Sequence, residues 1–322
     1  MKIHSKNKKN VAVIGIGGIG LRHLQSCANL PSSEYEVYAV DILPENLQEA
    51  EYCIKESSIQ YLDSMDLLPS EIDVAIVATQ ANVRAQVTRD LVEKKCIKAI
   101  VLEKVLFQKI EDYEDIKLLF EKHHIRGFVN CPRRLWPAYK ALKKELKDEI
   151  VTEVSVKGST WDMGCNGIHY IDLIGFLLNS DYYRVTQFRP ESDLQESKRV
   201  GALFIAGELE GVFKDSCCFI LSTLGTNEDF KEIRVVLKNS SEIVIKETAS
   251  SVKIYRNKQL IQSYKIPFQS ELTENTVHDI CINNKCGLTP YTESQNLHLI
   301  FMDTIFNYLK KIQPGLEGCP IT

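Results

Sequence analysis

The apolar stretch Val11-Ala12-Val13-Ile14 runs directly into Gly15-Ile16-Gly17-Gly18-Ile19-Gly20, and residues 19–30 then take up helical spacing. A buried strand, a glycine turn and the opening of a helix, in that order, leave few folds available. Gly15 permits a tight turn, Gly17 the close approach of a pyrophosphate, and Gly20 tight packing of helix on strand. The free N–H groups and positive dipole end of that helix would face the phosphates. An acid completes the pattern: Asp41 closes the run YEVYAVD (35–41), about 20 residues beyond the last glycine. Its carboxylate can accept hydrogen bonds from a ribose hydroxyl and repels a 2′-phosphate. Ile42 and Leu43 after it offer no arginine to hold one. The stretch predicts a dinucleotide cradle that takes NAD in preference to NADP, formed by Gly15, Ile16, Gly17, Gly18, Ile19, Gly20 and Asp41.

The alternation of strand and helix continues to residue 130. Apolar, β-branched runs at 35–41, 73–79, 99–104 and 125–130 are separated by helical spacing at 44–56, 82–95 and 111–124. This order predicts a doubly wound parallel sheet covered on both faces, whose ligands sit at the carboxyl ends of the strands. Residues 131–150 predict a helix, 151–159 a strand and 167–178 a further helix. Beyond these, strand-like runs succeed one another without helices, RVVLKNSSEIVIKE reading as a hairpin around Asn239-Ser240. Residues 293–312 form a last amphipathic helix. The expectation is two domains: a Rossmann-type α/β domain at 1–130, and an α+β domain with an open, mostly antiparallel sheet at 131–322.

Composition narrows the partners. A net charge of −4 with no basic stripe argues against nucleic acid. The basic start, with Lys2, Lys6, Lys8 and Lys9, precedes an apolar run too short and glycine-broken for a signal peptide, and no segment has the length of a membrane span. Ten scattered cysteines without a paired C-x-x-C motif point to reduced thiols, a cytoplasmic location and no metal site.

Two further places carry chemistry. Glu103 and Lys104 close the strand 99–104, and a charged pair ending a buried strand is costly unless solvated or used. His169 lies in the helix 167–178, four residues after Cys165 and three before Asp172. At this point the chain resembles the glucose–fructose oxidoreductase/inositol dehydrogenase (Gfo/Idh/MocA) family over nearly its whole length. The glycine loop is followed, after Leu21, by Arg22-His23, and VATQANVR stands at the family's A-T-P-N-x-x-H stretch, with Gln80 for its proline and Arg84 for its histidine. Glu103-Lys104 matches its E-K-P, with Val105 for the proline. Arg134 and Pro137 match R-x-x-P, Gly167, His169 and Asp172 match G-x-H-x-x-D-L, and Glu293 and His298 match a C-terminal helix motif.

The resemblance implies hydride transfer between a nicotinamide and a ring hydroxyl or keto carbon of a sugar, cyclitol or sugar nucleotide. It makes Lys104 and His169 catalytic, places Thr79, Asn82 and Glu103 at the cofactor, and implies a homodimer or homotetramer. Arg134, Trp161, Asn166 and Asp172 are candidates to line the sugar pocket. The WDMGCNGIHYIDL version of the helix resembles members tied to surface-polysaccharide sugar synthesis. Two departures stand out. Cys165 replaces an aspartate that in many members precedes the histidine by four residues, with Asp162 and Asp172 as substitutes. Val105 removes the restriction that proline places on the residue before it. These leave open a sensor or structural protein that keeps NAD without catalysis, and a reductase of a non-carbohydrate double bond, as in biliverdin reductases. His169 as a hydrogen-bonded helix residue and Lys104 as a solvated strand end are the plainer alternatives.

Overall fold

A computed structural model describes residues 8–55, 58–158, 161–191, 195–197, 199, 201–214, 216–225 and 230–322. Lys2 and Lys6, and the ends of the expected helix 44–56 and strand 151–159, lie outside the described residues. The chain divides into two compact units, the first comprising residues 1–107, 111–130 and 268–292, the second 108–110, 131–267 and 293–322.

In the first unit, strands β1 (Lys9–Ile14), β2 (Tyr35–Val40), β3 (Ile59–Leu62), β4 (Glu71–Val77), β5 (Cys96–Glu103) and β6 (Arg126–Asn130) form a parallel sheet. The spatial order is β6-β5-β4-β1-β2-β3. A two-residue strand, Thr289–Pro290, adds antiparallel to the free side of β6. Val11 to Ile14 and Val74 to Val77 are wholly buried, as strands covered on both faces must be. The order reverses at β1, which lies between β2 and β4, so the crevice of the switch point opens between the ends of β1 and β4. Helices α1 (Gly18–Cys27), α2 (Pro44–Cys53), α3 (Ala81–Lys94) and α4 (Glu111–Lys122) make the crossovers. Strand β1 ends at Ile14, because Gly15 turns the chain at φ +85°.

The second unit has an eight-stranded sheet. Its members are β7 (Val151–Gly158), β8 (Tyr183–Pro190), then beyond two short paired strands, β9 (Gln195–Glu196) and β10 (Leu203–Phe204), β11 (Gly207–Phe213), β12 (Cys217–Gly225), β13 (Lys231–Leu237), β14 (Glu242–Glu247), β15 (Ser251–Arg256) and β16 (Gln259–Lys265). The order is β16-β15-β14-β13-β7-β12-β11-β8, antiparallel throughout except for β7 against β12. The expected hairpin is β13–β14, turning at Ser240 in the left-handed region. One face of the sheet buries Val154, Val156, Leu209, Phe219, Ile233, Val235 and Ile245. The other presents half-buried Val212, Ile220, Val236 and Val244 among ion-paired Arg189, Glu208, Glu210 and Arg234.

The helix expected over 131–150 breaks in two, a 3-10 turn at Pro132–Leu135 and α5 (Pro137–Glu145). Pro137 is the cause: the residue before a proline avoids helical backbone, and Trp136 is extended at ψ 133°. Helix α6 (Met163–Leu178) begins before the expected 167 and packs on the C-terminal helix Tyr291–Ile312. Gly167 is what lets them close, since a Cβ there would meet the Phe301 ring at 2.8 Å. Among the described residues no helix is long and apolar enough to cross a membrane.

Candidate active site

The glycine turn is built by close approach. A Cβ on Gly15 would sit 2.8 Å from the Thr79 main-chain nitrogen, and one on Gly20 1.8 Å from the Gly15 carbonyl oxygen, so both positions exclude any side chain. Gly17 and Gly18 differ: a Cβ on either would meet nothing within 4 Å. Helix α1 starts at that open space with Gly17 as its N-cap, no side-chain cap and no acidic residue in its first turn. Exposed N–H groups and the helix dipole favour an anion there. Thr79, across the crevice, has a buried hydroxyl without a hydrogen-bond partner among the described residues. A cradle that side chains would fill, an uncapped helix and an orphaned hydroxyl fit a dinucleotide.

Asp41 is buried and does more than wait for a ribose. Its Oδ2 accepts the Ile16 N–H at 2.6 Å and the Asn46 side-chain amide at 3.0 Å, while Oδ1 accepts the Leu43 N–H at 2.9 Å. It thereby ties the glycine turn to the start of α2. A carboxylate offers about four acceptor sites, so room for a further donor remains. Ile42 beside it is 83% exposed and Asn82 is also exposed. Asn46 is a residue the sequence pattern missed; only its place two residues inside α2 signals it.

At the end of β5, Glu103 faces inward. Its Oε1 is bonded to His23 Nε2 at 2.9 Å and accepts from the Asn130 amide. His23 Nδ1 meets Thr273 Oγ1 at 2.8 Å, Gln269 donates to the same hydroxyl at 2.9 Å, and Asn130 donates to Gln269 Oε1 at 3.1 Å. The five side chains close a buried ring. Burial pushes the Glu103 carboxyl up, but His23, Asn130 and the neighbouring Lys104 ammonium outweigh it and hold the group below its ordinary range. The carboxylate expected at the cofactor is thus also bonded to the protein's own side chains. Lys104 is 8% exposed. Arg84, read in the sequence only as a departure, is buried under Lys104's turn and bonded to its carbonyls.

In the second unit Arg134 and Asp172 come together. Arg134 Nε donates to Asp172 Oδ2 at 2.8 Å, both side chains being buried, and Glu293 lies 3.5 Å from Arg134 Nη1. Burial pulls the Arg134 guanidinium down, and Asp172 more than restores it. Arg133 and Glu247 were not foreseen. Arg133 holds Glu247 in two bonds of 3.0 and 2.9 Å, donates to the Tyr170 hydroxyl at 3.1 Å, and Tyr139 also donates to Glu247. His169, half-buried on α6, stands next to Tyr170 and one turn after half-buried Cys165. Asp162 accepts the Ile205 N–H at 3.1 Å, so both substitutes for the family aspartate have other partners. Trp161 is 5% exposed, donates to the Ser222 carbonyl at 3.2 Å and meets Tyr170 edge-on, which makes it a packing residue before any sugar stacks on it. Asn166 donates to the Asp162 carbonyl. Among the described residues no group of three His, Cys, Asp or Glu could hold a metal ion.

Residues 9–131 match the family model GFO_IDH_MocA, described as an oxidoreductase family with an NAD-binding Rossmann fold. No curated protein matches the sequence. Solved structures share the fold, three of them as examples. One is the WlbA dehydrogenase from Bordetella pertussis in complex with NADH and UDP-GlcNAcA, at 14% identity over 98% of this chain and 99% of that one, TM-score 0.67. A second is the UDP-N-acetylglucosamine 3-dehydrogenase GnnA from Acidithiobacillus ferrooxidans, at 14% identity over 91% and 95%, TM-score 0.69. The third is a super-repressor mutant of Gal80p from Saccharomyces cerevisiae, at 13% identity over 93% and 95%, TM-score 0.73. At these identities the likeness is one of fold.

Proposed function

With residues 9–131 belonging to the NAD-binding Rossmann half of the Gfo/Idh/MocA oxidoreductase family, we propose that this protein is an NAD-dependent dehydrogenase or reductase. Its substrate is a ring carbon of a sugar, cyclitol or sugar nucleotide, in the making of a surface-polysaccharide sugar. The observation that carries the reading is the open space at Gly17 and Gly18 before the uncapped helix α1, braced by Asp41. Gly15 to Gly20 hold the pyrophosphate, Thr79 and Asn82 lie along the cofactor, and Asp41 favours NAD over NADP. When bound, the nicotinamide accepts or supplies the hydride. Lys104 brings an ammonium to the substrate oxygen, where it stabilises developing alkoxide. His169, as a neutral imidazole, takes the hydroxyl proton during oxidation or returns it during reduction. Arg134, held by Asp172, with Asn166 and Trp161, orients the sugar. The half-buried aliphatic residues on the open face of the second sheet suit a cytoplasmic homodimer or homotetramer.

A second reading, an NAD-binding regulator without turnover, draws on one observation: Cys165 occupies the aspartate's place, while Asp162 and Asp172 are bonded to Ile205 and Arg134. One assay separates the two. NADH absorbance is monitored with free sugars, cyclitols and nucleotide sugars in both directions, beside Lys104→Met. Turnover of one class, lost in Lys104→Met while NADH still binds, is the expected result. NADH binding without turnover across the panel would favour the regulator.

A further inference from the structure

The chain leaves β5 through Lys104, Val105, Leu106 and Phe107, and the last three are completely buried. Main-chain carbonyls that leave a sheet inside a protein must find donors elsewhere. Here one side chain supplies them. Arg84, 2% exposed in the first turn of α3, donates through Nη1 to the Glu103 carbonyl at 2.7 Å and to the Leu106 carbonyl at 2.9 Å, and also to that of Val105. Through Nη2 it donates to the Thr79 carbonyl at the end of β4. Tyr113 completes the set by donating to the Phe107 carbonyl at 3.1 Å. The carbonyls served by Arg84 flank Lys104 on both sides.

We propose that Arg84 is the positioning residue for Lys104: its guanidinium gathers the carbonyls on either side of that lysine and ties them to the end of β4. A guanidinium is planar and carries five donors in a fixed fork, so one side chain spans carbonyls on two strands. A lysine ammonium at this position lacks the second nitrogen, the one that here reaches the Thr79 carbonyl while Nη1 serves those around Lys104. The inference rests on the reading of Lys104 as the group at the reacting oxygen.

The test is competitive labelling of lysines with acetic anhydride across pH, read by mass spectrometry, with exposed Lys94 as internal reference. Wild type, Arg84→Lys and Arg84→Ala are compared, the last with and without guanidinium ion, and melting temperature is recorded for each. Arg84→Lys is expected to remain folded and to change the relative labelling of Lys104 threefold or more. Added guanidinium returns Arg84→Ala toward wild type. Where wild type turns over a sugar, kcat of Arg84→Lys falls tenfold or more while NADH affinity stays within threefold. A folded Arg84→Lys protein whose Lys104 labels like wild type at every pH overturns the proposal. The labelling needs no substrate, so an absent turnover with the labelling shift intact overturns the proposed activity and leaves the role of Arg84 standing.

Discussion

Gly18 and Gly20 stand two residues apart in one turn and are glycine for opposite reasons. A methyl group on Gly20 would fall 1.8 Å from the Gly15 carbonyl oxygen, a backbone atom that cannot swing aside. One on Gly18 would meet nothing. Gly20→Ala is therefore expected to lose NADH binding together with several kcal/mol of stability, of order 3 kcal/mol, as overpacking against a fixed backbone does. Gly18→Ala, at the start of α1, should hold or raise the melting temperature, since alanine costs the unfolded chain about 0.4–1 kcal/mol less entropy there. It should still weaken NADH at least tenfold by filling the cradle. Melting curves beside a fluorescence titration with NADH decide it; a Gly18→Ala protein that binds NADH like wild type would remove the pyrophosphate from this turn. The turn and Asp41 were legible in the sequence because a backbone requirement leaves glycine and a strand end leaves its acid. The bonds from Ile16, Leu43 and Asn46 that occupy Asp41 were not, since they depend on how the α2 start folds back.

At the scale of elements, α6 is pinned by two consecutive arginines of one 3-10 turn. Arg134 takes Asp172, and Arg133 takes Tyr170 while holding Glu247 at the end of β14. Tyr170 and Asp172 follow His169 on the helix by one and three residues, so the two arginines fix the rotation of α6 about its own axis next to it. The motif R-x-x-P made Arg134 legible. Arg133 was invisible because its partner lies 114 residues away, at the end of a strand read only as half of a hairpin. Arg133→Met would leave a buried carboxylate without its cation, a change expected to cost about 3–5 kcal/mol. Burial raises the Glu247 carboxyl, and Arg133 with Tyr139 outweighs it, so its value in the fold lies below its unfolded one, as for Glu103. A carboxyl depressed in this way stabilises the fold above its unfolded value, about 4.3, and that contribution is lost as pH falls through the folded value. Denaturant midpoints should be flat from neutrality to about pH 5 and fall below it. In Glu247→Gln the fall should be shallower, and an unchanged slope would contradict the depressed carboxyl.

The whole molecule is less divided along its sequence than its motifs suggest. A linear division at 130 places residues 268–292 with the second domain, yet they lie in the first unit. Nothing in their spacing announces this, because the segment makes short pieces: a 3-10 turn at Gln269–Glu271, a helix at Thr273–His278 that runs on into a π turn at Asp279–Asn283, and a two-residue strand. It supplies Thr273 and Gln269 to the Glu103–His23–Asn130 ring, gives Ser26 Oγ the Glu274 N–H at 2.8 Å, pairs with β6, and lays Tyr291 against Gly127 and Phe120. Buried polar groups stripped of such partners each cost about 1–3 kcal/mol, a large share of the stability of a domain this size. A fragment of residues 8–130 alone is therefore expected to unfold without a cooperative transition and to bind NADH weakly or not at all. Joining residues 268–292 to it through a flexible Gly/Ser linker should restore both the transition and the binding. Calorimetry and NADH titration of the two fragments measure this, and full affinity in the shorter one would show that the returning segment only rests on a domain already complete. The same fold, at similar identity, serves dehydrogenases and the Gal80p regulator. On the proposed assignment of Lys104 and His169 to the chemistry, the joined fragment, which carries the cradle without His169, should bind the nucleotide and turn over nothing.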